Sequence, residues 1–486
     1  MPIDTSENPV ATSSVAPTAN FRTTALIVAA ALLMEQIDVT VLATALPTMA
    51  RDFGVSAVNM SVAMTSYLLS LAIFIPASGK VADRFGARNV FCAAIVLFTL
   101  GSVLCGQSGS LPFLVAARLV QGLGGAMMVP VGRLVILRTV TKAELVNAMS
   151  WVLVPGLIGP VIGPPLGGFI VTYFSWPWIF YINVPIGIAG LALAIRFIPD
   201  FREASSSRFD FPGLILSGTA LSCLIFGCEF ASHGVTSLTL TLVLFGIGIV
   251  AGALYILYAR RVSEPILDIS LMRIPTFNLA VIGGSLWRIA GGSLPFLMPL
   301  MMQLGFGKSA VASGAITFMS SAGSMVMKAS APRVLRRFGF RNTMIWNAAI
   351  ATALLASCAA FRPSWPEWAI YGVLLVTGFF QSLQFTAYNT IAFAEIPPNR
   401  SSAAMSFYST FQQLMLSLGI CVAATVLNAS IAVSGHAHAT LGDFTVAFLT
   451  VTAISIWTAP LSARFNPRAG EEMSGYRGRQ SKSEPV

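Results

Sequence analysis

Apolar residues in this chain come in long runs separated by short polar stretches, a pattern of membrane-crossing helices rather than of amphipathic soluble ones. Fourteen runs of about 18 to 28 residues are expected to be spans, at roughly 23–49, 58–78, 89–107, 112–132, 147–172, 177–198, 211–230, 237–259, 277–303, 309–329, 342–361, 366–393, 402–431 and 443–463. The expected fold class is therefore an all-α polytopic membrane protein. Residues 1–21, rich in Ser, Thr, Pro and Ala, read as a disordered tail. They lack the basic n-region, short apolar core and cleavage site of a removable signal peptide, so the first span is expected to insert as it stands.

Composition agrees: 55% of the 486 residues are hydrophobic, 10% are charged, and the mean hydropathy is +0.78. A soluble chain carries roughly 25% charged residues. A net charge of +10 would point to nucleic acid in a soluble protein. Here the bases lie between the apolar runs, where the positive-inside rule accounts for them, and no nucleic-acid partner is expected. With the amino terminus in the cytoplasm, only Arg51, Lys308 and Arg362 fall in outer loops, and Arg118 and Arg288 lie within spans. The remaining 24 of 29 Lys and Arg are on the inner side, which puts both termini inside. The six cysteines, Cys92, Cys105, Cys223, Cys228, Cys358 and Cys421, sit in or beside apolar runs without a C-x-x-C pair. They read as small hydrophobes, and no metal or cofactor is expected. His436-Ala-His438 offers weak metal ligands at most and reads as a solvated loop.

An internal repeat divides the chain. Arg84-Phe-Gly-Ala-Arg-Asn89 follows the second run and Arg337-Phe-Gly-Phe-Arg-Asn342 follows the tenth, identical at five of six positions. This predicts two six-helix bundles, 22–200 and 275–465, with two inserted linker helices in 201–274 and a cytoplasmic tail at 466–486. Two bundles around a midplane cavity is an architecture of secondary transporters.

Charges within the runs mark candidate chemistry. Glu35 and Asp38 in Leu33-Met-Glu-Gln-Ile-Asp-Val-Thr40 are three residues apart, so a helix puts both carboxylates on one face. Each costs at least ~2.5 kcal/mol at the centre of a membrane helix. Asp38 is expected to carry a proton and Glu35 to tune it or to meet cationic substrates; a structural pair bonded to a neighbouring helix is the alternative. Glu229, near the end of the seventh run, is read as a rim residue. No nucleophile–base pair or H-E-x-x-H motif suggests an enzyme.

Several motifs are similar to those of the major facilitator superfamily. Gly79-Lys-Val-Ala-Asp-Arg-Phe-Gly-Ala-Arg88 resembles its signature loop G-x-L-A-D-R-x-G-R-K, with Ala87 where a basic residue is usual. Gly79 and Gly86 would allow close approach and a tight turn, and Asp83 would cap the thirteenth span near Ser401. Arg84 or Arg88 then completes a conformational latch. Arg118-Leu-Val-Gln-Gly-Leu-Gly-Gly-Ala126 resembles R-x-x-Q-G-x-G-x-A, whose arginine the family ties to proton transfer; a purely structural arginine is the alternative. Gly156-Leu-Ile-Gly-Pro-Val-Ile-Gly-Pro-Pro-Leu-Gly-Gly168 resembles G-x-x-x-G-P-x-x-G, a mark of exporters, and makes Gly156, Gly159, Pro160, Gly163 and Pro164 a candidate hinge. Asp38-Val-Thr-Val-Leu-Ala-Thr-Ala-Leu-Pro47 and Trp178-Ile-Phe-Tyr-Ile-Asn-Val-Pro-Ile-Gly187 narrow the resemblance to the fourteen-helix drug:proton antiporters.

The resemblance implies a major facilitator fold and a proton-coupled exporter of small amphipathic compounds, working as a monomer by alternating access in a bacterial inner membrane. The need for an adaptor and outer-membrane channel stays open, and the alternatives are a proton-coupled metabolite importer or a transport-inactive sensor. In that fold spans one, four, nine and twelve line the cavity, which nominates Gln121, Trp287, Arg288, Phe379, Phe380, Gln381, Gln384, Tyr388 and Asn389 for substrate contact.

Overall fold

The computed structural model describes residues 21–139, 145–199, 209–232, 238–397 and 400–476. The expected amino-terminal tail lies outside them except for its last residue. Helices in chain order are α1 (Phe21–Phe53), α2 (Ser61–Phe85), α3 (Ala87–Gly106), α4 (Leu111–Thr139) and α5 (Leu145–Tyr173). Next come α6 (Trp178–Phe197, interrupted at Ile182), α7 (Phe211–Ser232), α8 (Leu238–Ala259) and α9 (Pro275–Leu300). The bundle ends with α10 (Ala310–Phe338), α11 (Phe340–Cys358), α12 (Glu367–Ile391), α13 (Ser401–Ser434) and α14 (Leu441–Ser462, interrupted at Trp457).

Among the described residues, eleven helices are long and apolar enough to cross a membrane, and a shorter apolar segment, Ile158–Tyr173, lies in α5. By that measure α9 and α11 fall short of the fourteen expected runs. Both carry polar side chains turned into the protein: Arg288 on α9 is 3% exposed and Asn347 on α11 is fully buried. The chain is a multi-pass membrane protein. Its inserted helix α8 presents Leu242, Ile249, Val250 and Leu257 outward, as a lipid-facing helix must.

The sequence repeat is also a repeat of geometry. Gly86 (φ 90°) ends α2 and starts α3, and Gly339 (φ 72°) ends α10 and starts α11, a backbone conformation that L side chains rarely adopt. Gly86 N–H donates to Ala82 O and Gly339 N–H to Leu335 O, each at 2.9 Å. Arg84 lies 5.5 Å from the Phe85 ring and Arg337 lies 5.6 Å from that of Phe338. Arg88 then donates to Ile195 O near the end of α6, and Arg341 Nε to Ala463 O (3.0 Å) just past α14. Each bundle thus ties its third helix to its sixth with the same arginine.

Two ends of the bundle follow from these turns: a basic end holding Gly86 and Gly339, and an opposite end holding Arg51. The inserted pair is fastened by Asp210, which accepts from Gly213 N (2.9 Å), Tyr258 Oη (2.6 Å) and Ile266 N (3.0 Å). Its helix α7 packs against both α2 and α13.

The bundles meet toward the Arg51 end. A Cβ on Gly314 of α10 would lie 2.3 Å from Pro164 O of α5, and one on Gly168 would lie 2.4 Å from Ala310 O. A π-helical turn after α9, Met301–Gly305, carries Gln303, whose Nε2 donates to Thr44 O of α1 at 3.0 Å. Asn428 Nδ2 of α13 donates to Asn59 Oδ1 before α2 (3.2 Å), and Ser417 Oγ donates to Thr65 O (3.4 Å). A vestibule of about 1620 Å³ opens at this end between α1, α5, α7, α10 and α13.

Candidate functional site

Asp38 lies at the centre of a closed polar network. Arg118 Nη1 of α4 donates to its Oδ2 at 2.5 Å, while Gln121 Nε2 (2.7 Å) and Asn183 Nδ2 of α6 (3.1 Å) donate to its Oδ1. Arg118 also donates to Gln121 Oε1 (2.7 Å) and, through Nε, to Ala63 O of α2 (3.0 Å). Ser102 of α3 accepts from Gln121 at 2.8 Å and from Asn183 at 3.3 Å. The guanidinium lies 4.4 Å from the Tyr67 ring centroid, so α2 supplies a cation–π face as well. Asp38 is 2% exposed, Arg118 1%, and Gln121, Asn183 and Ser102 are fully buried.

Such a pair tolerates burial only because each charge compensates the other; removing one side typically costs ~3–5 kcal/mol. The remaining lone pairs of Asp38 face two amide N–H donors, so the network is built around an ionised carboxylate. Glu35, a turn away, is 6% exposed, and its Oε2 has no hydrogen-bond partner among the described residues. The charged groups set against it are Arg133 of α4 and Asp38. The two acids therefore differ in kind: one is locked in an ion pair, the other is incompletely satisfied.

The structure distributes the nominated cavity residues differently from the sequence reading. Gln121 belongs to the Asp38 network. Gln384 faces α11, accepting from Asn347 Nδ2 (2.7 Å) and donating to Met344 O (3.2 Å). Tyr388 is fully buried and its Oη pairs with Ser462 Oγ of α14 at 2.9 Å. Arg288 is likewise enclosed, donating to Asn389 Oδ1 (3.0 Å) and Tyr408 Oη (2.8 Å) and so joining α9 to α12 and α13. Trp287 is 3% exposed. Phe379, Phe380 and Gln381 are half-buried, and Gln381 Nε2 has no hydrogen-bond partner among the described residues.

The candidate hinge is a close-packed seam. Cβ atoms on Gly159, Gly163 and Gly167 would meet Gln36, Thr40 and Thr44 at 2.5, 1.9 and 2.3 Å, so α5 lies along α1 at i, i+4 and i+8 on both helices. Pro164 on the same helix meets the other bundle through Gly314. The helix is continuous through Pro160, and the side-chain surroundings of Gly156 lie outside the described residues.

At the basic end, Gly79 has open space where a Cβ would lie, so it makes no close approach. Asp83 is half-buried in the last turn of α2, and Arg84 is exposed. Arg88 serves its own bundle. An acid set at the start of α13 is Asp268, paired with Arg400 at 2.5 Å, and Glu264 of the same linker lies 3.6 Å from Lys80 of α2. Burial works to raise the pKa of Asp268, but hydrogen bonds from Ser270 and Arg400 outweigh it and hold the carboxyl below its ordinary value. The linker after α8 thus straps α2 to α13.

Sequence reasoning missed Ser102, Asn183, Tyr67 and Arg133, and it misplaced Glu229, which is 2% exposed rather than on a rim. At the opposite end His436 Nδ1 pairs with Asp443 (3.0 Å), and no group of three or more metal-ligating side chains occurs among the described residues.

Comparison with known proteins agrees with this architecture. The family model described as Major Facilitator Superfamily matches residues 28–420. A Salmonella heidelberg (strain SL476) protein named "Putative multidrug resistance protein MdtD" is 39% identical over 405 residues, covering 82% of this chain and 85% of that protein. Among solved structures, a mutant form of the nucleoside transporter NupG superposes with a TM-score of 0.65 at 16% identity, covering 92% of this chain and all of its own. A D-xylose-proton symporter gives 0.65 at 16% identity, over 92% of this chain and 98% of that one. With a family match across most of its length and buried intramembrane charges in each bundle, the chain belongs to the major facilitator superfamily and is a membrane transporter.

Proposed function

We propose that this transporter exports small amphipathic compounds in exchange for protons, with all fourteen helices crossing a bacterial inner membrane and the basic end in the cytoplasm. The observation that carries the reading is the closed Asp38–Arg118–Gln121–Asn183 network joining α1, α4 and α6. Protonating Asp38 turns one of its two acceptor oxygens into a donor and leaves a buried guanidinium uncompensated. The packed arrangement is then disfavoured by several kcal/mol, on the order of the cost of breaking a buried pair. Proton binding thereby becomes a change in how α1 sits against α4 and α6, which is what coupling requires.

Export of amphipathic compounds is supported by the likeness to a protein named for multidrug resistance and by the glycine–proline seam of α5. Half-buried Phe379, Phe380 and Gln381, with Glu35 and Arg133, are the proposed substrate-facing groups. Lys80, Glu264, Asp268 and Arg400 are the proposed latch. The test is a substrate panel in inside-out vesicles, reading collapse of an imposed proton gradient on addition of each compound. Collapse on addition of amphipathic compounds supports antiport; an import-coupled gradient or no response contradicts it.

A further inference from the structure

Glu229 is an intramembrane acid that the Asp38 network does not use. It sits on α7, in the inserted pair, yet its carboxyl reaches both bundles. Ser61 Oγ and Thr65 Oγ1 of α2 donate to Oε2 and Oε1 at 3.0 and 2.7 Å, and Cys421 Sγ of α13 donates to Oε1 at 3.3 Å. The same two helices make the contact between bundles, where Ser417 Oγ donates to Thr65 O one turn from Cys421. The vestibule reaches this place, since Asn59, Phe230, Ala231, Thr425 and Asn428 all line it.

We propose that Glu229 is a second proton-binding carboxyl, carried by the inserted helices and placed so that its protonation state biases the α2–α13 contact. The donors that α2 and α13 supply are uncharged, and each hydroxyl both donates and accepts. A protonated Glu229 can turn its own O–H onto Ser61 or Thr65, so its ties to α2 hold in either state. Among the described residues, the titratable groups set against it include Cys421 from α13 and Cys228 on α7, and α2 contributes the Ser61 and Thr65 hydroxyls. His233, just past the last described residue of α7, lies outside the described residues. The proton comes from vestibule water and adds to a carboxylate oxygen. The ionised form is the stronger acceptor for the Cys421 thiol, so protonation loosens the tie to α13 and leaves Glu229 with α2. The inserted pair is then part of the gate, a role that rests on the proton-coupled reading above.

The test is difference infrared spectroscopy of the full-length protein in lipid, titrated with pH. Wild type should show the carbonyl band of a buried protonated carboxyl that Glu229→Gln lacks and Asp38→Asn retains; an unchanged band in Glu229→Gln overturns the proposal. Should Glu229→Gln fail to fold, Cys421→Ala leaves the carboxyl in place. It should move the midpoint of that band, and an unmoved midpoint overturns the coupling to α13. The titration decides Glu229 even if Asp38→Asn vesicles show that efflux is not proton-driven, so the two readings fail separately.

Discussion

Gly314→Ala should drive the bundles apart at the Arg51 end. The added Cβ would lie 2.3 Å from Pro164 O and 3.3 Å from Pro165 Cα, where ordinary contact begins at 3.4 Å. The first obstacle is a backbone carbonyl, so no rotamer change relieves it; α10 must retreat from α5 by about 1 Å. Overpacking of this kind costs ~1–3 kcal/mol. In a protein with two near-balanced conformations that is a shift of about 5- to 150-fold against the one with this contact closed. Spin labels at Thr172 and Lys308, which both line the vestibule, read the change as a longer distance distribution. Gly190→Ala is the control, because a Cβ there meets nothing within 4 Å. A folded Gly314→Ala protein with an unchanged or shorter distance would refute the idea that this seam sets how closely the bundles approach at the Arg51 end.

Two further outcomes follow from the basic end. Reporter fusions after Pro199 and at the carboxyl terminus should both signal cytoplasm, and a periplasmic signal from either contradicts the fourteen-crossing orientation. Asp268→Asn should lower the apparent melting temperature at neutral pH by removing the Arg400 pair. Because the folded carboxyl titrates below its usual value, the stabilisation is present above about pH 4 and disappears as pH falls through the folded value. A wild-type minus variant difference that persists in acid contradicts this.

The repeat was fully legible: Arg84-Phe-Gly and Arg337-Phe-Gly are local signals, and the glycine conformation and arginine stacking they encode are local too. Asp38 and Arg118 stood out because charge in an apolar run is costly, and the structure pairs them. Gln121 was assigned to the cavity because α4 lines it, although its position three residues after Arg118 puts it on the same helical face. Asn183 carries no signal of its own, since only the packing of α6 on α1 and α3 brings it to Asp38. Glu229 was misplaced because a charge near the end of an apolar run resembles a rim residue. The available clue was Ser61 and Thr65, a polar pair at i, i+4 on α2 that needed an acceptor. Gly79 misled in the opposite direction, because a glycine in a motif does not reveal whether its missing side chain faces a neighbour or open space.

The central claim is that Asp38 carries the proton whose binding undoes the Arg118 network. Asp38→Asn keeps the shape of the side chain and stands in for its protonated form, so the protein should insert and fold with the Arg118 network undone. The decisive measurement is substrate transport by purified Asp38→Asn protein in proteoliposomes under an imposed pH gradient. Glu35→Gln serves as the companion that keeps the ion pair. The account predicts no gradient-driven transport by Asp38→Asn, with downhill substrate exchange retained, and weakened but gradient-dependent transport by Glu35→Gln. Transport by Asp38→Asn with the pH dependence of wild type would contradict it.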